Sequence, residues 1–253
     1  MDHIRRVDDL HRVVVLNPKG GCGKTTLATN LASLYALRGT HPALADCDAQ
    51  GFSQRWLDKR PKDRPLIHGI SAYDDAIDGL DSLRNAVHPN TSTVIVDLPG
   101  AIPNERLHDY TSRADSVLIP IVPSEIDVFS ASRLIAELLL DAQLDRREQK
   151  VAIVANRVRS NTKSYQMLRQ FLASLKIPMI AALRDTQNYV HAAAQGIGIC
   201  EMPRYGVRND VDQLEAIATW LDNWRTRRFE AYNSPELGRP SSRETWPAGR
   251  LVT

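Results

Sequence analysis

Residues 13–26 read VVVLNPKGGCGKTT, and this stretch decides the fold. Residues 13–16 form a short apolar run, which is typical of a strand buried on both faces. A glycine-rich turn follows, after which the spacing of Leu27, Leu31 and Leu34 predicts a helix. A buried strand that passes through glycines into a helix is the context of a phosphate-binding loop.

The turn supplies every group that such a loop needs. Glycines let several backbone N–H groups point at one anion, and the amino end of the helix adds partial positive charge. Lys24 brings a mobile ammonium group, and the Thr25 hydroxyl can reach a magnesium ion. We therefore predict that a nucleotide is bound by Lys19, Gly20, Gly21, Cys22, Gly23, Lys24, Thr25 and Thr26.

The loop departs from the common pattern G-x-x-x-x-G-K-[ST], because Pro18 stands where the first glycine is expected. With Lys19 and two adjacent glycines it resembles the deviant Walker A motif, KGGxGK[ST], of the ParA/MinD family of ATPases. The resemblance covers about residues 12–230 and implies ATP and Mg²⁺ as ligands. It also implies that Lys19 reaches across a dimer interface to the nucleotide of the partner subunit. Lys19 and Lys24 are therefore expected to be catalytic.

Two later strands end in acidic residues, at the sheet edge where ligands of open α/β sheets bind. Residues 43–51, ALADCDAQG, resemble the family's DxDxQG segment. The resemblance implies that Asp48 orients or activates the attacking water and contacts the metal through water. Asp46 would support the neighbouring site residues without contacting the ligand itself. Residues 93–100, TVIVDLPG, end like a Walker B strand, whose Asp97 holds magnesium through water. The alternative for these acids is a role in capping turns.

The Walker B segment differs from the family in one respect. The family more often has two prolines shortly after the acid, and Gly100 departs from that pattern. Asn156 follows a later strand and resembles the family position whose asparagine hydrogen-bonds adenine. A turn-forming role for Asn156 is the alternative, because asparagine often satisfies local backbone groups. The NKxD pattern that reads guanine is absent.

Strand-like and helix-like segments alternate along the chain. This order predicts a doubly wound α/β fold, with a mostly parallel sheet and helices on both faces. The charged, proline-rich residues 58–65 are expected to form an exposed loop. We expect an ATPase domain over residues 1–230 and a tail over 231–253. The predicted strands are 13–16, 43–45, 93–96, 116–122, 151–155 and 179–183, and the predicted helices are 24–38, 130–144, 163–175, 188–195 and 209–229.

Composition and charge bear on the binding partners and the cellular compartment of this protein. A net charge of +2 in 253 residues indicates neither a nucleic-acid binder nor an acidic partner, so any basic patch must be local. Three cysteines without paired spacing favour a reducing compartment. The amino terminus is polar, and no segment has the length of a signal peptide or membrane span. We expect a cytoplasmic, nucleoid-associated protein. Because about a dozen residues precede the first strand, we expect no helix-turn-helix domain before it.

The family resemblance implies a nucleotide-gated positioning protein. ParA-like members bind DNA nonspecifically as ATP homodimers, and a ParB-like or other cargo-adaptor protein stimulates hydrolysis. Such members move plasmids, chromosomes or protein cargo. Local arginines offer phosphate contacts. Arg184, directly after a predicted strand, resembles a family position used for DNA. The DNA-binding candidates are Arg184, Arg225, Arg227 and Arg228.

Two other classes of function remain open. A MinD-like switch would bind a membrane through the last helix, which carries Leu214, Ile217, Leu221 and Trp224 on one face. Apolar residues at this spacing more often pack on their own domain, so membrane binding is not expected. A metabolic or cluster-assembly P-loop enzyme is the third possibility. The lack of a Cys-x-x-Cys pair argues against its metal-loading version.

Overall fold

The computed structural model describes residues 10–73, 80, 83, 86–140, 149–175 and 177–233. Within these ranges the strands are β1 (His11–Val15), β2 (Ala43–Asp46), β3 (His68–Ser71), β4 (Thr93–Asp97), β5 (Ser116–Ile121), β6 (Val151–Val158) and β7 (Met179–Arg184). They form one seven-stranded sheet in the order β3-β2-β4-β1-β5-β6-β7. All neighbouring strands are parallel. The predicted fold class is confirmed.

Helices cover both faces of this sheet. They are α1 (Lys24–Leu37), α2 (Phe52–Asp58), α3 (Asn104–Ser112), α4 (Glu125–Leu140), α5 (Lys163–Leu175), α6 (Asn188–Ala194), a 3₁₀ turn (Ile199–Glu201), α7 (Arg208–Asp222) and α8 (Trp224–Asn233). None of the helices within the described ranges combines the length and the apolar character needed to traverse a bilayer.

The core has two layers, one on each face of the sheet. Alternate residues of the first apolar run point to opposite faces: Val14 and Leu16 pack in one layer, Val13 and Val15 in the other. These four side chains are at most 1% exposed. A strand buried on both faces reads as a continuous apolar run, which is why this stretch was recognisable in the sequence.

The prediction of one helix over 209–229 was wrong. The helix is interrupted at Asn223. The side-chain amide of Asn223 donates to the carbonyl of Thr219 and so competes with the helical backbone bonds. Before the break, α7 buries Leu214, Ile217 and Leu221 completely in the core, as the domain-packing interpretation predicted. Beyond it, α8 covers the sheet's amino edge.

Several other elements differ from the sequence predictions. Helix α4 begins at Glu125, earlier than the predicted residue 130, because Ser124 accepts a hydrogen bond from the Asp127 N–H and caps the helix. Its predicted end at 144 lies outside the described residues. Strand β3 and helices α2 and α3 were not predicted. Most of the predicted tail, from residue 234 onward, also lies outside the described ranges, so the domain boundary stays a prediction.

The loop over 58–65 is irregular, as predicted, but it is not wholly exposed. The Arg60 side chain is only 7% exposed and pairs with the fully buried Glu201 at 2.7 Å. Glu201 also accepts hydrogen bonds from the Ser33 hydroxyl and the Gly198 N–H. A charged loop residue is thus buried because three donors share one carboxylate, and the loop is fixed against α1.

Candidate functional site

The acidic strand ends and the glycine-rich loop meet at the carboxyl edge of the sheet. In the strand register, Asp97 lies beside both Val15 and Asp46. The chain leaves β1 toward β2 on one side and leaves β4 toward β5 on the other, so β1 and β4 border the topological switch point. Ligands of open α/β sheets bind in the crevice at this position.

The loop after β1 is fixed by a side chain that sequence analysis missed. Asn17 donates from Nδ2 to the Pro120 carbonyl at 2.7 Å and accepts the Lys19 N–H on Oδ1 at 2.9 Å. Gly23 has φ 99°, in the left-handed region that favours glycine. A Cβ there would lie 2.0 Å from Nδ2 of Asn156. The loop therefore requires glycine at this position.

Lys24 lies inside the loop and is 9% exposed. Its ammonium group donates to the carbonyls of Asn17 at 3.1 Å and Lys19 at 3.3 Å. An ammonium has three donors, so one remains for an anion. The side chain is thus positioned to neutralise a phosphate bound by its own loop.

Lys19 points away from the loop interior. Its Nζ lies 2.5 Å from Oδ2 of Asp127 in the first turn of α4, and its side chain is 34% exposed. The Ser124 hydroxyl bonds to the same carboxylate oxygen. Asp127 is 5% exposed, and its Oδ1 has no partner among the described residues. Sequence analysis missed Asp127, although a serine followed three residues later by an acid, directly after a strand, is a helix-start signal.

The two acids after β2 have different surroundings. Asp46 is fully buried and accepts hydrogen bonds from the N–H groups of Asp48 at 3.1 Å and Gln54 at 3.0 Å. It therefore fixes the turn, and its supporting role beside a nucleotide stays a prediction. Asp48 is half-buried, and among the described residues its side chain accepts the Gln50 N–H alone, at 2.9 Å. One of its carboxylate oxygens remains available to a ligand or water.

Asp97 at the end of β4 has the features of a metal-binding carboxylate. It is 1% exposed, and its Oδ2 accepts the Ser53 hydroxyl at 2.8 Å. Burial raises its pKa to about 6, although hydrogen bonds from Thr25 and Ser53 act in the opposite direction. Its Oδ1 has no partner within the described ranges. A buried carboxylate oxygen beside a threonine hydroxyl fits Mg²⁺, which prefers hard oxygen ligands.

Strand β6 and the loop after β4 touch the phosphate loop from outside. Asn156 is 7% exposed and donates from Nδ2 to the Cys22 carbonyl at 2.7 Å. It therefore helps to hold the loop, and its contact with a base stays a prediction. At Gly100, a Cβ would lie 3.1 Å from the Pro18 carbonyl oxygen. The departure from the family at this position thus allows close packing against the phosphate loop.

The four arginines predicted to bind DNA do not lie together. Arg184 ends β7 at the carboxyl edge and pairs with the buried Asp210 at 2.8 Å. The other three belong to α8, which contacts the start of β1 at the amino edge. There Arg227 lies 3.7 Å from the ring centre of Trp220, while Arg228 remains 63% exposed.

The fold and the loop define a P-loop nucleotide-binding protein. Comparison with known families gives the same answer: the CobQ/CobB/MinD/ParA nucleotide binding domain matches residues 13–199. The chain therefore belongs to this family. The Maintenance of carboxysome distribution protein A of Halothiobacillus neapolitanus is 28% identical over 206 residues, which cover 81% of this chain and 93% of that protein.

Solved structures share the fold at lower identity. An ATP complex of Cyanothece McdA superposes with a TM-score of 0.67 at 17% identity, covering 85% of this chain and 97% of that one. A plasmid partition protein of Borrelia burgdorferi bound to AMPPNP gives a TM-score of 0.66 at 15% identity, covering 83% and 99%. These likenesses establish the architecture and nothing further.

Proposed function

We propose that this chain is a ParA-like ATPase that forms an ATP-bridged homodimer, binds DNA without sequence preference and positions a cargo. In this proposal a partner protein stimulates hydrolysis. The observation that carries the proposal is the division of labour between the two loop lysines. Lys24 is buried within its own loop, whereas Lys19 is partly exposed and held outside it.

A second lysine outside the loop is suited to a nucleotide in another subunit. The Lys24 ammonium lies within its own loop, which supports its contact with the phosphate of the same subunit. Lys19 pairs with Asp127 outside the loop, so its contact with another nucleotide would require loss of this ion pair. ATP would then bridge two subunits, and loss of the γ-phosphate would weaken the dimer. Hydrolysis would thereby set the lifetime of the dimer.

The remaining residues have assigned roles in this proposal. Asp48 orients the attacking water, and Thr25 and Asp97 hold Mg²⁺, with Asp97 and Asp48 acting through water. Bound Mg²⁺ would supply positive charge to the β- and γ-phosphate oxygens. The loop amides of residues 19–26 bind the phosphates. Asn156 contacts the adenine.

The comparisons favour one class of cargo. The relative from Halothiobacillus neapolitanus is named for carboxysome distribution, and the match spans nearly its whole length. This supports a protein assembly as cargo, ahead of a plasmid or chromosome. We propose a cytoplasmic protein associated with the nucleoid. A membrane track is less well supported, because α7 buries its apolar face in the domain.

The dimer is tested with Lys19→Gln. This variant should still bind ATP through Lys24, yet it should remain monomeric with ATP and Mg²⁺ and lose partner-stimulated hydrolysis. Molar mass by light scattering with and without ATP measures the first effect. Lys163→Gln, at an exposed site on α5, is the matched control. A Lys19→Gln protein that dimerises normally with ATP would remove the bridging role.

The hydrolytic step and the DNA track are tested with Asp48→Ala. The variant should accumulate as an ATP dimer that stays on nonspecific duplex DNA longer than the wild type, because the water is no longer oriented. Retention should fall steeply as salt rises. Full turnover in Asp48→Ala would place the water elsewhere. Wild-type binding to anionic vesicles, with no ATP-dependent binding to DNA, would favour a MinD-like switch.

A further inference from the structure

The turn that carries Asp48 is attached at both ends to a single residue, Asp97. This turn comprises residues 47–51, and we call it the Asp48 turn. At its start, the Cys47 N–H donates to the backbone carbonyl of Asp97 at 3.0 Å. Just after it, at the beginning of α2, the Ser53 hydroxyl donates to Oδ2 of Asp97 at 2.8 Å. Two hydrogen bonds therefore join the two acids that the proposed function assigns to the attacking water and to Mg²⁺.

The Ser53 hydroxyl serves this contact and not its own helix. Ser53 is the second residue of α2 and is fully buried. A hydroxyl in a helix often donates to the carbonyl three or four residues before it, as the Thr29 hydroxyl does. The Ser53 hydroxyl instead reaches Asp97, which is 44 residues away in the sequence. The first turn of α2 is already held by Asp46, which accepts the Gln54 N–H, so α2 does not need the Ser53 side chain as a cap.

This hydrogen bond distinguishes the two oxygens of the Asp97 carboxylate. The last torsion of an aspartate side chain is broad, so the carboxylate turns easily unless a partner fixes it. Oδ2 accepts the Ser53 hydroxyl, whereas Oδ1 has no partner among the residues that the structure describes. Ser53 thereby holds the carboxylate in the orientation that leaves Oδ1 available. Groups that orient a metal-binding side chain in this way matter for metal affinity, and their loss typically weakens it by about 10- to 100-fold.

We propose that Ser53 is a positioning residue, which orients Asp97 toward Mg²⁺ and anchors the Asp48 turn beside that carboxylate. This inference rests on the proposed function and deepens it, because it assigns a role to a residue outside the phosphate loop and the acidic strand ends. The hydroxyl proton of Ser53 is already donated to Asp97, and the side chain is fully buried. Ser53 therefore acts through Asp97 and touches neither the nucleotide nor the metal.

Loss of the Ser53 hydroxyl has two separate consequences. Asp97 loses the donor that distinguishes its two oxygens, so metal binding should weaken. The Asp48 turn keeps its attachment through Cys47 but loses the one through Ser53, so the attacking water should be oriented less accurately. A displacement of about 1 Å in a reacting group can cost about 100-fold in rate. Binding of the nucleotide without metal uses the phosphate loop and should not change.

The test compares Ser53→Ala with Ser116→Ala in the full-length protein. Ser116 is the matched control, because its hydroxyl is also fully buried and bonded to a side chain, His11, but at the amino edge. The affinity for a fluorescent ATP analogue is measured in EDTA and over a series of Mg²⁺ concentrations. In Ser53→Ala, the Mg²⁺ concentration that gives half of the gain in affinity should rise about tenfold, with the affinity in EDTA unchanged. Ser116→Ala should match the wild type in both measurements.

Hydrolysis gives a second measurement that a purely structural role would not change in the same way. At saturating Mg²⁺, the kcat of Ser53→Ala should fall about tenfold, while its KM for ATP should change by less than about threefold. A residue that only stabilises the fold would lower the free energy of unfolding without this separation of kcat from KM. Urea unfolding of both serine variants without nucleotide verifies that each of them folds.

A double-mutant cycle tests whether Ser53 acts through Asp97. Asp97→Asn removes the carboxylate charge and should raise the Mg²⁺ requirement of ATP binding on its own. Adding Ser53→Ala to Asp97→Asn should then raise the requirement no further, because the residue through which Ser53 acts has already been changed. A loss in the double variant equal to the sum of the two single losses would show that Ser53 acts independently of Asp97 and would overturn the inference.

The remaining outcomes separate this inference from the proposed function. A Ser53→Ala protein with the Mg²⁺ requirement and the kcat of the wild type would overturn the positioning role and leave the proposed function intact. Equal losses in Ser53→Ala and Ser116→Ala would assign the effect to general stability and also reject the positioning role. A wild-type protein that neither binds ATP with Mg²⁺ nor hydrolyses it would overturn the proposed function itself.

Discussion

The two edges of one sheet differ in which buried polar groups lack a partner. At the carboxyl edge, one oxygen of Asp97 and one of Asp127 have no partner among the described residues. At the amino edge, the Arg12 side chain forms two hydrogen bonds with Asp115, and the His11 ring bonds to the Ser116 hydroxyl at 2.9 Å. The groups without a partner there, within the described ranges, include the Thr91 hydroxyl and two guanidinium nitrogens of Arg227. Unmatched carboxylate oxygens suit a bound cation, whereas a paired carboxylate helps to hold the fold together.

This contrast has an energetic consequence. A buried carboxylate without a partner costs stability, which a bound cation or phosphate-linked metal can restore. Substitutions at the carboxyl edge should therefore change ligand binding more than unfolding. Substitutions among the inner residues of the amino edge should do the reverse. Three measurements break or sharpen this division.

The largest effect is expected for Lys24→Ala. Loss of the ammonium from the loop interior should reduce ATP hydrolysis by about 100-fold or more, because a buried charge aimed at a phosphate is removed. The free energy of urea unfolding should stay near that of the wild type. Lys163→Ala, at an exposed lysine, should leave both unchanged. A Lys24→Ala protein that fails to fold would contradict the division between the edges.

The next effect is a pH dependence at the amino edge. The His11 pKa is about 3 in the fold, mainly through burial, against 6.5 in the unfolded chain. Below pH 6.5 the unfolded chain takes up a proton that the folded protein refuses, so stability falls by about 1.4 kcal/mol per pH unit. Between pH 6.5 and 5 the contribution is ~2 kcal/mol. His11→Gln should lack it.

The measurement is urea unfolding of the nucleotide-free wild type and His11→Gln at pH 7, 6 and 5. Subtracting the two profiles of unfolding free energy against pH removes the contributions of titratable groups that both proteins share. Asp97 is one of them, and its raised pKa makes the fold more stable as the pH falls through about 6, opposite to His11. Parallel profiles for the two proteins would show that His11 accepts its proton within the fold. ATP affinity at pH 7 should not change.

The smallest effect concerns the ion pair of Lys19. Asp127→Asn removes the charge that holds Lys19 and keeps a side chain of the same shape. The ATP concentration needed for half-maximal dimerisation should fall about three- to tenfold, since Lys19 no longer leaves an ion pair. Glu125→Gln, on the same helix turn but exposed, is the control. A rise in the ATP requirement for Asp127→Asn would mean that Asp127 supports the dimer.

Much of the fold was predictable because its signals are local. Five of the six predicted strands lie inside the sheet, and each of the six appears within two residues of its predicted start. Strand β7 lies at an edge but still carries the apolar run MIAAL, whereas β3 was missed because it buries only Ile70 of its four residues. Such a strand lacks the apolar run by which buried strands are recognised. Helix α3 was missed in the same way, since its pattern is largely polar.

In the candidate site, too, local features were predictable from the sequence and long-range contacts were not. The glycines, Lys24 and the hydroxyls of the loop lie in one segment, so spacing predicted them, whereas Lys19 was predicted from the family resemblance. Asp127 was not singled out, and Arg60 was placed in an exposed loop, because nothing near them in the sequence reveals a partner. Their partners lie 108 and 141 residues away. Only packing brings such pairs together.

The sequence by itself determined the strand, loop and helix that we propose bind phosphate, because glycine conformations, apolar periodicity and helix starts depend on neighbouring residues. Tertiary structure alone decided where each charge is matched. In the folded protein Lys19 pairs with Asp127 and Arg12 pairs with Asp115, in both cases across more than a hundred residues. Tertiary structure also separated Arg184 from the arginines of α8. These pairings depend on the order of strands in the sheet, which long-range packing sets and short-range patterns do not record.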